Sequence, residues 1–520
     1  MAAGISISGG VFVYVAKATW TRKALPHMTL ADERLKELDN PSLTANERVM
    51  LRCAIAADFT HAGQYEAARE ALGELWKGVG ERPDVKGLPP VATAEVLLQC
   101  GALTGLLGGA RNVAGAQEKA QDLLTEAARK FQSQGRYAKA AEARGELGAC
   151  YWRLGAYDDA RVMMREALMP LKESDVELKG RILIRLTMVE LCENRFYEAL
   201  SILREAQPVF DSAPDALKGR WHGQLGLVLA RLGDLERRTE YTDKAIIEFT
   251  AAIYHYEQAG HERYVATNRN NVAMLLYRIG RYRDAHEHLD RAGATLVRLK
   301  DAGLLAQVDE TRARVFLAES KYGEADRVIT RAIQTLEKGG ASAYLSDALT
   351  IQGVAKARLG AGEDSINILR RAMSIAEEAG ALTNAGLAAL ALIEEHGARR
   401  VLPRTELYKL YLRAENLLKG TEDAEDKDRL IACARIVMKR LAGVNLHDKN
   451  FSFYSAVQDL EERIIEQALE ATDGSVTRAA KLLGLKHQTL ITMLNKRHKG
   501  LREKRTSPEK RLRSIIKDTP

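Results

Sequence analysis

Over most of this chain, apolar and small residues recur at i, i+3, i+4 and i+7, in amphipathic stretches that come in pairs joined by short turns. One marker punctuates the pairs: a glycine or small polar residue, then an aromatic, then alanine three positions later. It occurs as Tyr65/Ala68, Tyr137/Ala140, Tyr157/Ala160, Phe196/Ala199, Tyr282/Ala285 and Tyr322/Ala325, with Ser365 in the alanine place of the last copy. The steps 160 to 199, 285 to 325 and 325 to 365 are 39, 40 and 40 residues. Between 199 and 285 lies one further unit with Leu225-Gly226, Gly233, an insertion near 236–243, and Ala245 as its alanine. A pair of helices this short leaves one apolar side open, so successive pairs must stack. The pattern predicts an all-α array of helical hairpins across 28–441. Weaker helices at 45–78 and 91–133 open it around the Pro/Gly-rich loop Gly80–Pro90, and helices near 405–418 and 425–441 close it with an acidic turn at 421–426 between them.

The pattern changes after a hinge at 442–453. Across 454–501 it predicts three short helices broken at Gly474 and Gly484. Leu460, Ile464 and Ala468, with Ile465 and Leu469 beside them, make the first apolar face. Val476, Ala479, Ala480 and Leu483 make the second, and Leu490 and Leu494 anchor the third helix. Ser475 stands where a helix N-cap is wanted. Two helices across a tight glycine turn form a helix-turn-helix, whose second helix fits the DNA major groove.

The array resembles the tetratricopeptide repeat in its longer form of roughly 40 residues; the best single unit is Leu147-Gly148, Tyr151, Gly155, Tyr157, Ala160 and Ala167. The end resembles the Fis-type helix-turn-helix that closes many NtrC-like bacterial regulators, through Gly474, Ala479-Ala480, Leu483-Gly484, Thr489-Leu490 and Leu494. Ser475 replaces the family's usual asparagine, and Met493 its usual lysine. The resemblance implies DNA binding, and a homodimer with half-sites about 34–36 Å apart. Lys486, His487, Gln488 and Thr489, then Thr492 and Asn495, are the candidate groove residues. Gln488 suits the paired donor and acceptor of adenine, and Lys486 suits guanine or phosphate.

Charge sharpens this reading. Lys and Arg number 77 against 70 Asp and Glu, and the whole excess of seven falls after Met493, where ten basic residues meet three acids. Lys496, Arg497, Lys499, Arg502, Lys504 and Arg505 are candidate phosphate contacts, and 502–520 reads as a basic tail.

Other chemistry is sparse. No Gly-x-x-x-x-Gly-Lys-Ser/Thr is present, so the ATPase module that NtrC-like regulators carry is not expected. No enzyme, metal or cofactor is predicted; His286 and His288 diverge on one helix, and Gly108-Gly109 reads as a helix end. Five scattered cysteines without Cys-x-x-Cys read as reduced core thiols of a cytoplasmic protein. No run of about 18 apolar residues suggests a membrane span. Residues 1–27 read as a disordered extension without signal-peptide features. In the array, Arg153, Arg231, Arg278 and Arg358 each precede a turn glycine by two positions. They either line a groove edge for a carboxylate-bearing peptide or protein or complement the helix dipole. Asn268, Asn270 and Asn271 offer amides for an extended peptide backbone. The reading that joins these features is a bacterial transcription regulator in which the array senses a peptide, protein or small ligand and the C-terminal end binds double-stranded DNA. The alternative is a scaffold whose basic end binds RNA or an acidic partner.

Overall fold

A computed structural model describes residues 35–442 and 453–504, apart from 62–63, 111–112, 340–341, 400 and 422. The extension at 1–27, most of the hinge and the tail beyond Lys504 lie outside the described residues. Among the described residues there is no strand.

The helices are α1 (Ala45–His61), α2 (Tyr65–Leu72), α3 (Pro90–Ala110), α4 (Ala116–Ser133), α5 (Tyr137–Leu154), α6 (Tyr157–Leu168), α7 (Val176–Cys192), α8 (Phe196–Glu205) and the short α9 (Gln207–Asp211). They continue as α10 (Asp215–Glu236), α11 (Thr239–Gln258), α12 (Glu262–Arg278), α13 (Tyr282–Arg298), α14 (Ala302–Ala318), α15 (Tyr322–Gly339), α16 (Ser342–Arg358), α17 (Gly362–Glu378), α18 (Leu382–His396), α19 (Arg404–Leu417) and α20 (Ala424–Ala442). After the hinge come α21 (Phe453–Glu470), α22 (Val476–Leu482) and α23 (His487–Lys496), then a 3-10 turn at Lys499–Lys504. The chain divides into two compact units, Met1–Ala434 and Arg435–Pro520.

In the first unit each helix from α1 to α19 packs on its sequence neighbour. The marker alanines 160, 199, 245, 285 and 325 are fully buried. Small residues opposite them let two helices approach. A Cβ added to Gly353 would stand 2.5 Å from Leu369 Cγ, one on Gly148 2.8 Å from Met164 Cγ, and one on Gly226 3.0 Å from the Phe249 ring. Ser365 keeps the alanine place because its hydroxyl is satisfied, donating 2.7 Å to Gly353 O with His396 Nε2 at 2.9 Å. First helices of successive hairpins touch one another (α5 with α7, α12 with α14, α14 with α16), whereas second helices make no comparable contact among the described residues. The array therefore curves with its first helices inside.

Helix α3 is long and apolar enough, by length and composition, to cross a membrane. It is a core helix: 89% of its apolar window is buried within the protein, against α1, α2, α4 and α5. Gly108 and Gly109 lie inside its last turn, and Gly108 is there because a Cβ would meet Ala116 at 2.2 Å. The insertion near 236–243 is mostly helix, with α10 running on to Glu236 and α11 starting at Thr239. It lengthens α10 to 22 residues, where α7, α12, α14 and α16 have 17.

Candidate nucleic-acid interface and repeat groove

In the second unit, Leu469, Ala479, Ala480, Leu490 and Leu494 close one small core with Ile465, Ala468 and Leu501. Gly474, at φ +75°, ends α21 by donating its N–H to Leu469 O at 2.8 Å. Gly484, at φ +66°, makes the turn into α23. Ser475 has the extended backbone of an N-cap, but its side chain makes no capping bond, contrary to expectation. The hydroxyl that organises this corner is that of Thr472, which donates 2.7 Å to Ala468 O. The inward stripe of α21 is also shifted from expectation: Ile465, Ala468 and Leu469 are buried, while Leu460 and Ile464 are 47% and 44% exposed.

With Leu490 and Leu494 holding one side of α23 inward, Lys486, His487, Gln488, Thr489, Thr492, Asn495 and Lys496 all face solvent. They form one polar surface of about three turns. Thr492 turns its hydroxyl onto Gln488 O at 2.8 Å. The preceding helix presents Arg478 and Lys481, which the sequence reading omitted; their spacing of three on an otherwise small, apolar helix was the available signal. The basic residues after α23 are less free than expected. Arg497 reaches Glu461 at 3.2 Å, Arg502 donates to Asn495 O at 3.0 Å, and Lys504 bridges Glu466 and Glu470 at 2.5 and 2.8 Å. Lys499 is exposed. His498, also unanticipated, is buried beside Glu461 and Glu462.

The array arginines separate. Arg358 forks onto Glu395 through Nε and Nη2, at 2.6–2.9 Å. Arg153 lies in the α3–α5 packing, with Cys150 Sγ at 4.0 Å. Arg231 and Arg278 alone meet, on a shared carboxylate, Asp234. Arg278 and Arg358 thus each hold an acid from a neighbouring hairpin, Asp234 and Glu395, whereas the contact of Arg153 is a sulfur of its own helix. Burial pushes Arg231 down to about 10. Asn268 donates its amide to Tyr264 O at 2.8 Å, while Asn270 and Asn271 are buried with side-chain oxygens that have no hydrogen-bond partner. His286 faces Glu319 at 2.9 Å. All five cysteines are free, and burial pushes the Cys150 and Cys192 thiols up to about 11.

The inner face carries a row that the sequence reading did not single out, although its 39-residue spacing is visible. Glu142, Arg181 and Arg220 hold equivalent places on α5, α7 and α10, and so do Glu146, Arg185 and Gln224. Arg185 pairs with Glu146 at 2.6 Å and Arg181 with Glu142 at 4.0 Å, so these helices do face one another in that register. Arg220 comes next and breaks the alternation. It donates to the Tyr264 and Tyr256 hydroxyls, and among the described residues it forms no ion pair with a carboxylate.

Comparison with known proteins agrees with the C-terminal geometry. The profile of the bacterial regulatory protein, Fis family, matches residues 456–496. No curated protein sequence matches the chain. Among solved structures, the apo form of RapI is 13% identical, with TM-score 0.45 over 79% of this chain and 99% of that one. Aspartyl phosphate phosphatase F from Bacillus subtilis is 13% identical, with TM-score 0.45 over 78% and 97%. NprR in complex with its cognate peptide NprX is 11% identical, with TM-score 0.39 over 81% and 99%. The repeat fold rests on the marker alanines, the glycine contacts and the stacked first helices described above. Residues 456–496 are a helix-turn-helix domain of the Fis family of bacterial regulatory proteins, carried on the C-terminal side of a tetratricopeptide-type array.

Proposed function

We propose that this chain is a cytoplasmic bacterial transcription regulator that binds double-stranded DNA through α22 and α23 and receives a ligand or peptide in the groove of its array. The observation that carries the reading is the continuous polar face of α23 above a closed apolar core, within the Fis-family match. Its residues have the donors and acceptors that base edges ask for, and the adjoining basic residues have the charge that phosphates ask for. No role in catalysis is assigned to it. Retrieval of bound fragments from fragmented genomic DNA tests the reading: a shared sequence motif among them supports it, and recovery without a motif contradicts it.

A groove ligand is supported by Arg220. A cation set among tyrosines, and paired with no carboxylate among the described residues, favours an anionic group such as a carboxylate or phosphate on the ligand.

The DNA-bound form is proposed to be a homodimer. Leu460 and Ile464 lie one turn apart on the outer face of α21, so pairing α21 with a second copy removes both from water. Leu460→Glu with Ile464→Glu should turn a dimer into a monomer in sedimentation, and weaken DNA binding at least tenfold while leaving the helix content unchanged. A double variant that stays dimeric places the interface elsewhere.

A further inference from the structure

Two features of the sequence find no use in DNA binding or in the groove row: the insertion that lengthens α10, and the acidic turn that opens α20. The fold brings them together. Arg237, at the extended end of α10, donates to Ala424 O at 3.2 Å and pairs with Asp428 at 2.8 Å, contacts that span 187 and 191 residues of sequence. Arg278, one hairpin further on, has Glu425 at 3.9 Å. Arg231 is within electrostatic reach of Asp423 and Asp426.

Both sides of the contact are built. The turn is pre-shaped, since Asp423 accepts the N–H groups of Glu425 and Asp426 at 2.9 and 3.4 Å, and Asp426 is buried with Thr421 donating to it at 3.2 Å. Five of the eight residues in 421–428 are acidic and one is lysine. On the other side, Arg237 holds a left-handed backbone, φ +55°, at a helix end where other turns of this array place Gly155, Gly280 or Gly360, and also Asn194, Lys300 or Ser320. A β-carbon is disfavoured in that conformation. Arg237 is the residue that makes both long-range contacts.

We propose that Arg231, Arg237 and Arg278 form a seat for an acidic peptide segment, filled in this state by the chain's own residues 423–428, which thereby latch the array closed. The seat is distinct from the Arg220 row and does not depend on DNA binding. The outer Arg237–Asp428 pair is largely solvated and so individually weak; the latch works because several charges meet at once and because a tethered segment has a high effective concentration. It is therefore releasable, by salt or by an acidic segment presented in trans.

The test uses the full chain and a fluorescein-labelled synthetic peptide of residues 419–430 as the probe. A turn variant (Asp423→Asn, Glu425→Gln, Asp426→Asn, Asp428→Asn) keeps an N-cap side chain but loses the charges. It is expected to have a larger radius of gyration in X-ray scattering and to bind the peptide at least about tenfold more tightly than the native chain, whose seat is already filled. Adding Arg231→Gln, Arg237→Gly and Arg278→Gln should abolish that binding. Arg237→Gly alone suits the left-handed backbone, and it should lower the salt concentration at which the array opens without unfolding it. An independent arm is charge reversal: Arg237→Asp and Asp428→Arg should each open the array, and together should close it again. A turn variant with native dimensions and native peptide affinity overturns the proposal, as does a reversed pair that stays open; if the turn variant does not fold, the reversed pair decides.

Discussion

Raising the salt concentration from 50 to 200 mM should weaken binding to duplex DNA by about 10³–10⁵, the loss expected when roughly 6–10 phosphates are contacted. Lys486, Lys496 and Lys499 beside the helix, Arg478 and Lys481 on α22, and the basic residues beyond Lys504 supply the cations. The tail's share is measured by ending the chain after Lys504, which removes Arg505, Lys510, Arg511, Arg513 and Lys517. Each lost contact should reduce the slope of log K against log salt by about 0.9. Cutting earlier, after Gly500, would confound the result, because Leu501 is part of the domain core. Arg497 and Lys504 already hold carboxylates of α21 and must exchange partners to reach DNA, so neutralising either should change the slope less than neutralising Lys499. An unchanged slope after truncation makes the tail a bystander.

Arg161→Met should lower the stability of the array by about 3–5 kcal/mol, the cost of leaving a buried partner charge uncompensated. Arg161 is almost wholly buried and donates Nε and Nη2 to Glu190 at 2.7 and 3.0 Å, while Nη1 reaches Asp158 at 2.5 Å and Glu193 closes the cluster. Glu190 is 1% exposed, and its remaining cation, Arg195, is 3.4 Å away and half in solvent. The cluster ties α6 to α7, so hydrogen exchange should rise first in α6–α8, because stacked repeats couple to their nearest neighbours. Arg161→Met with Glu190→Leu should recover much of the loss, since apolar residues can replace a buried pair at little cost. Urea unfolding followed by circular dichroism checks both; a single variant within about 0.5 kcal/mol of the native chain removes this cluster from the account.

The parts that were legible in the sequence are those where spacing alone dictates packing. A buried alanine three residues after a turn aromatic, a glycine under a facing Leu or Phe, and Leu490 and Leu494 one turn apart have one solution each. The illegible parts depend on a choice between equivalent solutions. Leu460-Ile464 and Ile465-Leu469 both lie at helical spacing on α21, and only the position of α22 decides which pair turns inward. The insertion near 236–243 reads as a loop or as extra helix with equal ease until the turn at Arg237 is seen. An arginine before a turn glycine is visible, but the acid it finds belongs to another hairpin: Glu395 for Arg358 and Asp234 for Arg278. The latch joins segments nearly 190 residues apart, and no local pattern announces it. Conversely, the 39-residue ladder from Glu142 through Arg181 to Arg220 was present in the sequence and is recognisable once the first helices are known to line the inner face.

The central claim is that α23 reads base edges, and Gln488 is where that claim is most exposed. Its side chain is solvent-facing in the first turn of α23, where recognition helices meet bases. The deciding measurement is the affinity of Gln488→Ala, against the native chain, for a selected genomic site and for random duplex of equal length at one salt concentration. The account predicts a loss of about 1–3 kcal/mol on the selected site and almost none on random DNA; equal losses on both, or none on either, contradict it.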